Sequence, residues 1–284
     1  MGDGVATGTY VYCLIAAIRR PALPRVPAGL PGTGPVRLLD VNSEATNRPM
    51  QPSSRRRPAR RASRHPAKQW LAVADAPLSR YGEGSINRRL PDLDWVSRVA
   101  LAHESVVESF TGAQAVLPMK LFTIFTSDAR ALEHLRRQQS RIRRLLDRVT
   151  GHQEWGVRIA LEGGVSPAGK HPRSRATSTV SGVAYLSLKK AQHDRASGLV
   201  QRARATAAGL YDRLQAHAAA SKRRSPSERP VAGGPLLLDA SFLVPRSRSA
   251  RFRALVGRES TALASEGYLV TMSGPWPPYT FVRD

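Results

Sequence analysis

What most constrains this chain is how its apolar residues are parcelled. They come in short runs, and three stretches without hydrophobic periodicity interrupt them: residues 42–68, 164–181 and 221–234. Rich in Arg, Pro, Ser and Gly, these stretches read as loops or linkers that cannot bury a core. They carry net charges of +7, +3 and +3, which is +13 of the chain's formal +23. A fold must therefore be built from the segments between them, and the 284 residues are enough for two domains of ordinary size.

Those segments alternate in type. Thr9–Ile18 (TYVYCLIAAI) reads as a buried strand, with Pro35–Val41 and Gln69–Ala74 as a second and a third. Asp92 is placed to cap a helix whose apolar face is Leu93, Val96, Val99, Ala100, His103, Val106, Val107 and Phe110. Ala115–Phe125 is β-rich, and Pro118 inside it points to an edge position or a bulge. Ser127 opens one helix over 127–150, with seven Arg beside its apolar stripe. His152–Leu161 is a strand, Ala184–Ala219 a long helix weakened at Gly198 and Gly209, Pro235–Val244 a strand, Arg248–Glu266 a helix and Tyr268–Met272 a strand. Too few helices are present to cover both faces of a parallel sheet, so the fold class is α+β in two small domains, with a boundary near residue 126. The expected domains are 1–126, with the basic insertion at 42–68, and 127–284, with a Pro/aromatic tail at 274–284.

Several function classes find no support. The longest clean apolar run, Val11–Ile18, is eight residues, against the roughly 20 that a spanning helix needs. Positive charge follows that run instead of preceding it, unlike a signal peptide, so a cytoplasmic protein is expected. The single Cys13 excludes an intramolecular disulfide and lies in an apolar strand, where a thiol is inert packing. No catalytic Ser-His-Asp order, phosphate loop or metal-spaced His set appears, and no cofactor is expected. His103-Glu104 is the best acid–base pair, but His103 sits on the apolar helix face, where a core role with one hydrogen bond fits better, and Glu104 points elsewhere. His171 lies in a basic stretch with no partner ligand.

The order of Tyr10-Val11-Tyr12-Cys13, Asp94-Trp95-Val96, His103-Glu104-Ser105-Val106-Val107 and Val116-Leu117-Pro118-Met119 carries a resemblance. So do Glu154-Trp155-Gly156-Val157, Ser181-Gly182-Val183-Ala184-Tyr185-Leu186 and Phe242-Leu243-Val244, and most specifically the tail Gly274-Pro275-Trp276-Pro277-Pro278-Tyr279-Thr280-Phe281. From about residue 9 to residue 282 the chain resembles the GvpL/GvpF family of gas vesicle proteins; the Arg-rich 42–68 stretch departs from it as an insertion. The resemblance implies a ferredoxin-like N-terminal unit and a C-terminal unit related to it. It implies an accessory, non-enzymatic role in building gas vesicles, the cytoplasmic gas-filled shells that give cells buoyancy. The implied partners are the small hydrophobic major shell protein and other gas vesicle accessory proteins, the chain serving as an assembly factor or minor shell component. No catalytic residues come with it.

A hydrophobic partner calls for exposed apolar or sheet-edge surface. The candidate contact residues are Pro118 and Met119 at the expected edge and Trp276, Tyr279 and Phe281 in the tail. The tail has two readings: a polyproline ligand, or prolines stiffening a segment whose aromatics pack on a domain surface, with Trp276-Pro277 a candidate cis bond. The alternative to an assembly role is a nucleic-acid- or ribosome-associated protein, raised by the charge alone; no aromatic residue between 42 and 68 supplies a stacking platform.

Overall fold

The computed structural model describes residues 6–23, 26–42, 68–161, 182–224 and 235–282, except for some side chains in the first half of the helix that starts at Gly182. Most of 42–68, all of 164–181 with His171, and 225–234 lie outside the described residues. The chain divides into two compact units, Met1–Gln153 with Trp276–Asp284, and Glu154–Pro275. The first unit thus runs past residue 126 to Gln153, and the tail belongs with it.

In the first unit, β1 (Thr7–Ala17), β2 (Arg37–Asp40), β3 (Lys68–Pro77) and β4 (Ala115–Pro118) form a sheet in the order β2-β3-β1-β4, with β5 (Ile124–Phe125) also pairing with β1. Each pairing is antiparallel. This is ferredoxin-like topology. Its central strand β1 is buried along almost its whole length, which is why its sequence is a continuous apolar run instead of an alternating one. One extra residue, Tyr12, breaks the β1–β3 register between Val11 and Cys13. That bulge turns Tyr10, Tyr12 and Cys13 alike into the same core.

Three helices follow β3. Short α1 (Leu78–Tyr81) and α2 (Glu83–Arg89) come directly after it and pack on each other, and α1 also packs on β3. Helix α3 (Leu93–Ser109) packs on β1 and is capped by Asp92, whose carboxylate accepts from the Trp95 amide at 3.0 Å. It buries Trp95, Val99, His103, Val106 and Val107, so Val99, His103, Val106 and Val107 of the spacing read in the sequence lie on the packed face, Trp95 joins them, and Leu93 does not. The 127–150 segment is two helices, not one: α4 (Asp128–Arg137) and α5 (Gln139–Val149). They part at Gln138, where ψ is 11° instead of helical. Ser127 caps α4 by accepting from the Arg130 amide at 3.3 Å. Ala131, Leu132, Leu135, Ile142, Leu146 and Val149 are buried; α4 packs on β1 and β5, and α5 on β4.

The second unit is a complete β-α-β-β-α-β set: β6 (His152–Leu161), α6 (Gly182–Gln215), β7 (Ala220–Arg224), β8 (Leu236–Pro245), one 3-10 turn at Arg246–Arg248, α7 (Ser249–Ala264) and β9 (Tyr268–Trp276). Its sheet order, β7-β8-β6-β9, repeats that of the first unit. Gly198 and Gly209 do not break α6. From Ala203 on, Ala203, Ala207, Leu210, Tyr211 and Leu214 face Trp155, Val157, Ile159, Phe242 and Val244 in one core. Helix α7 is tied to α6 by the paired Arg213–Glu259 contacts at 3.0 and 2.7 Å.

Strand β7 corrects the sequence reading, in which 221–224 belong to the linker 221–234. Its polar side chains conceal it, but each finds a structural use. Arg223 stacks over the Tyr211 ring at 3.9 Å and pairs with Asp212 at 3.6 Å. Arg224 donates to Ser241 at 2.9 Å and lies 3.5 Å from the buried Glu154 carboxylate. An edge strand needs no apolar alternation when its side chains are anchored this way.

Candidate partner-contact site

The residues singled out at the β4 edge and in the tail meet different fates. Pro118 ends β4, opposite Cys13 of β1, on the outermost strand of the sheet. Having no N–H, it is suited to an edge. Met119 follows, its amide donating to the Tyr12 carbonyl at 2.9 Å; both residues are half-buried. The turn beyond holds Phe122 at φ 64°, its ring stacked on Trp95 at 5.5 Å, while the Arg89 guanidinium lies over the same indole at 4.5 Å.

The tail is built into the first unit. Pro277 and Pro278 are buried, and the Phe281 and Val282 amides donate to the Pro278 carbonyl in a tight turn. Arg148 of α5 donates to the Phe281 carbonyl at 3.3 Å. Phe281 is 2% exposed, so its ring is core and offers no surface to a partner; Trp276 is 39% exposed. Tyr279 packs against the cluster of Tyr10, Tyr12 and Tyr81. Packing, not a free polyproline ligand, is the structural role of these residues. The cis bond is at Gly274–Pro275, not at Trp276-Pro277.

Met119 and Tyr279 therefore flank one buried aromatic cluster, while Pro118 and Trp276 stay at the surface. At its centre the Tyr10 hydroxyl and His103 Nδ1 share a hydrogen at 2.7 Å, and the imidazole packs 5.6 Å from the Tyr12 ring. Burial pulls the His103 pKa down to about 4, opposed by the Met119 backbone. Burial likewise pushes the Tyr10 and Tyr12 hydroxyls up. The Tyr12 hydroxyl accepts from the Leu30 amide at 3.0 Å. A neutral imidazole sealed among tyrosines is a packing element, and Glu104 points to solvent. Cys13 is fully buried and its thiol is pushed up by burial, away from the reactive thiolate. Among the described residues no group of acidic, His and Cys side chains could hold a metal ion, and no helix is long and apolar enough to cross a membrane.

Exposed apolar side chains lie elsewhere on the first unit: Ile18 after β1, Leu90 just before α3, Leu93 at its start and Leu101 in its middle. The sequence reading placed Leu93 on the helical stripe and Ile18 in the buried strand; at 75% and 67% exposed both lie outside the core.

The fold and this surface define an α+β protein made of two ferredoxin-like units whose most conspicuous polar side chains serve packing. Over residues 8–283 the sequence matches the model of the gas vesicle synthesis protein GvpL/GvpF family, and the chain belongs to that family. It is 32% identical over 216 residues to gas vesicle protein L of Streptomyces sp. (strain CB03234), covering 74% of this chain and 79% of that one. Its fold is similar to the crystal structure of the gas vesicle protein GvpF from Anabaena sp. PCC7120, with a TM-score of 0.62, 16% identity, and coverage of 98% of this chain and 97% of that one. GvpF from Microcystis aeruginosa is similar at a TM-score of 0.60 and 12% identity, covering 98% and 99%. Family membership ties the protein to gas vesicle formation.

Proposed function

We propose that this protein assists assembly of the gas vesicle shell by binding the small, hydrophobic major shell protein, alone or with other gas vesicle accessory proteins, in the cytoplasm. It acts as a holding and placing factor or as a minor shell component, without catalysis. The observation that carries the reading is the family match along residues 8–283. Two structural features support it. The first unit leaves Leu90, Leu93 and Leu101 in solvent before and along α3, apolar surface that a hydrophobic partner can cover. Strand β4 is also an open edge, where Pro118 and Met119 lie half-buried and an extended client segment can align.

Co-expression of the shell protein with and without this chain tests the reading. Shells forming only in its presence, with shell subunit retained on the tagged protein, are expected. Equal shell yield without it and no retained subunit would overturn the proposal. Retained RNA or DNA in place of shell subunit would favour the charge-based alternative.

A further inference from the structure

The two units share a strand order but not a crossover. In the second unit the 34-residue α6 connects the first and second strands and lays its apolar face on the sheet. In the first unit the same connection, residues 18–36, contains no helix among its described residues. It touches the core through Leu23, Val26, Leu30 and Val36 and is pinned by the Tyr12 hydroxyl and by Arg80 and Tyr81 on the Pro31 carbonyl. A looped crossover covers less sheet than a helix. At the end of the sheet where β1 finishes and β3 begins, the described residues leave a concave pocket of about 450 Å³.

The pocket has a definite chemistry. Ile18, Arg19, Arg20, Leu38, Asp40, Lys68 and Trp70 line it. Leu38 and Trp70 are themselves core residues, so the apolar wall is rigid. Ile18 stands 67% exposed at the mouth. Arg19, Arg20 and Lys68 are exposed, and none of them forms an ion pair among the described residues. Three cations face a single carboxylate, Asp40, and that carboxylate already accepts from the Asn42 amide at 2.8 Å.

We infer that this pocket binds an acidic segment of a partner protein, with carboxylates on Arg19, Arg20 and Lys68 and one apolar side chain against Ile18 at the mouth. Charge complementarity selects the occupant. The chain's own 43–67 segment has seven Arg and one acid, Glu44, and so carries the wrong sign. A nucleic acid strand would want an open aromatic face for its bases, and Trp70 is nearly buried. The inference stands apart from the proposed shell-protein binding, which is placed on Leu90, Leu93, Leu101 and the β4 edge.

Binding of a short fluorescein-labelled peptide of alternating Glu and Leu to the full chain, followed by anisotropy, tests it. The Glu/Leu peptide is expected to bind, and its Gln/Leu and Glu/Ser counterparts to bind roughly tenfold more weakly, a loss of about 1.4 kcal/mol. Arg19→Glu/Arg20→Glu, and separately Lys68→Glu, are expected to weaken it by a similar factor with unchanged thermal melting. Arg143→Glu/Arg144→Glu on α5 should leave it within about twofold. Four results would overturn the inference: no binding, equal loss in the α5 control, a Glu/Ser peptide bound as tightly, or displacement by an oligo-dT strand that responds to the same variants. Retention of shell subunit by the Arg19→Glu/Arg20→Glu protein would leave the proposed function standing while this site is judged alone.

Discussion

The Tyr10 hydroxyl and His103 Nδ1, 93 residues apart in sequence, meet at 2.7 Å inside the first unit. The strand bulge at Tyr12 and the buried face of α3 create that meeting. It fixes the imidazole in its neutral form, because a charge there would lack water and a counter-ion.

Stability should therefore fall as the pH falls through the unfolded pKa of His103. Its folded pKa of about 4 lies below the ordinary 6.5, so the unfolded chain binds the extra proton first. The contribution is complete above about pH 6.5, is lost progressively toward pH 4, and amounts to about 3 kcal/mol at most. Urea melts at stepped pH measure it. His103→Phe should flatten the slope in that window, and an unchanged slope would show that another group titrates.

Arg37 binds Asp128 through two guanidinium nitrogens, at 2.6 and 2.8 Å, and reaches Asp75 at 2.6 Å. The Arg37 hydrogen bonds, helped by one from Thr9, hold the Asp128 carboxyl below the usual range. Its folded pKa is lowered, so this stabilisation is present above the unfolded carboxylate pKa and is lost as the pH drops below it. The pair is about a third exposed, and Asp128→Asn should cost about 1 kcal/mol. In a double-mutant cycle with Arg37→Met the two losses should be non-additive; additivity would mean that they act separately.

Gly29 sits at φ 84°, and a Cβ built there would lie 2.3 Å from the Tyr12 hydroxyl. Gly29→Ala should destabilise the protein by about 2 kcal/mol or more, combining backbone strain with displacement of that hydroxyl. Tyr12→Phe should cost about 1–3 kcal/mol, because the buried Leu30 amide loses its acceptor. Thermal melts of both single variants and the double are the measurement, and the double should lose less than the sum.

Phe281→Ala should cost about 3–5 kcal/mol, a core truncation in a segment that looks like a tail. Trp276→Ala, at a partly exposed position, should cost far less. Equal losses would contradict the packing described for Phe281.

Much of this was legible in the sequence. Asp92 announced its helix by capping chemistry and the run 9–18 announced a doubly buried strand by its lack of alternation; the Pro/aromatic tail allowed both packing and partner contact, and spacing did not show that Phe281 would be core. The elements that escaped lack a local signal. Lys222, Arg223 and Arg224 form a strand because Tyr211, Asp212, Ser241 and Glu154 receive them, and none of those partners can be paired with them from spacing alone. Helices α1 and α2 are too short for a period to show. The break at Gln138 involves neither Gly nor Pro. The pocket beside Trp70 arises from what the looped crossover leaves uncovered, and a sequence displays residues, not the cover they lack.

The first unit is discontinuous in the chain, which bears on the order in which the molecule is made. When Gln153 leaves the ribosome, the site that will take Tyr279 and Phe281 is still unfilled, and the whole second unit must be synthesised before its plug arrives. The nascent protein thus spends the making of one domain with an apolar socket open in the other.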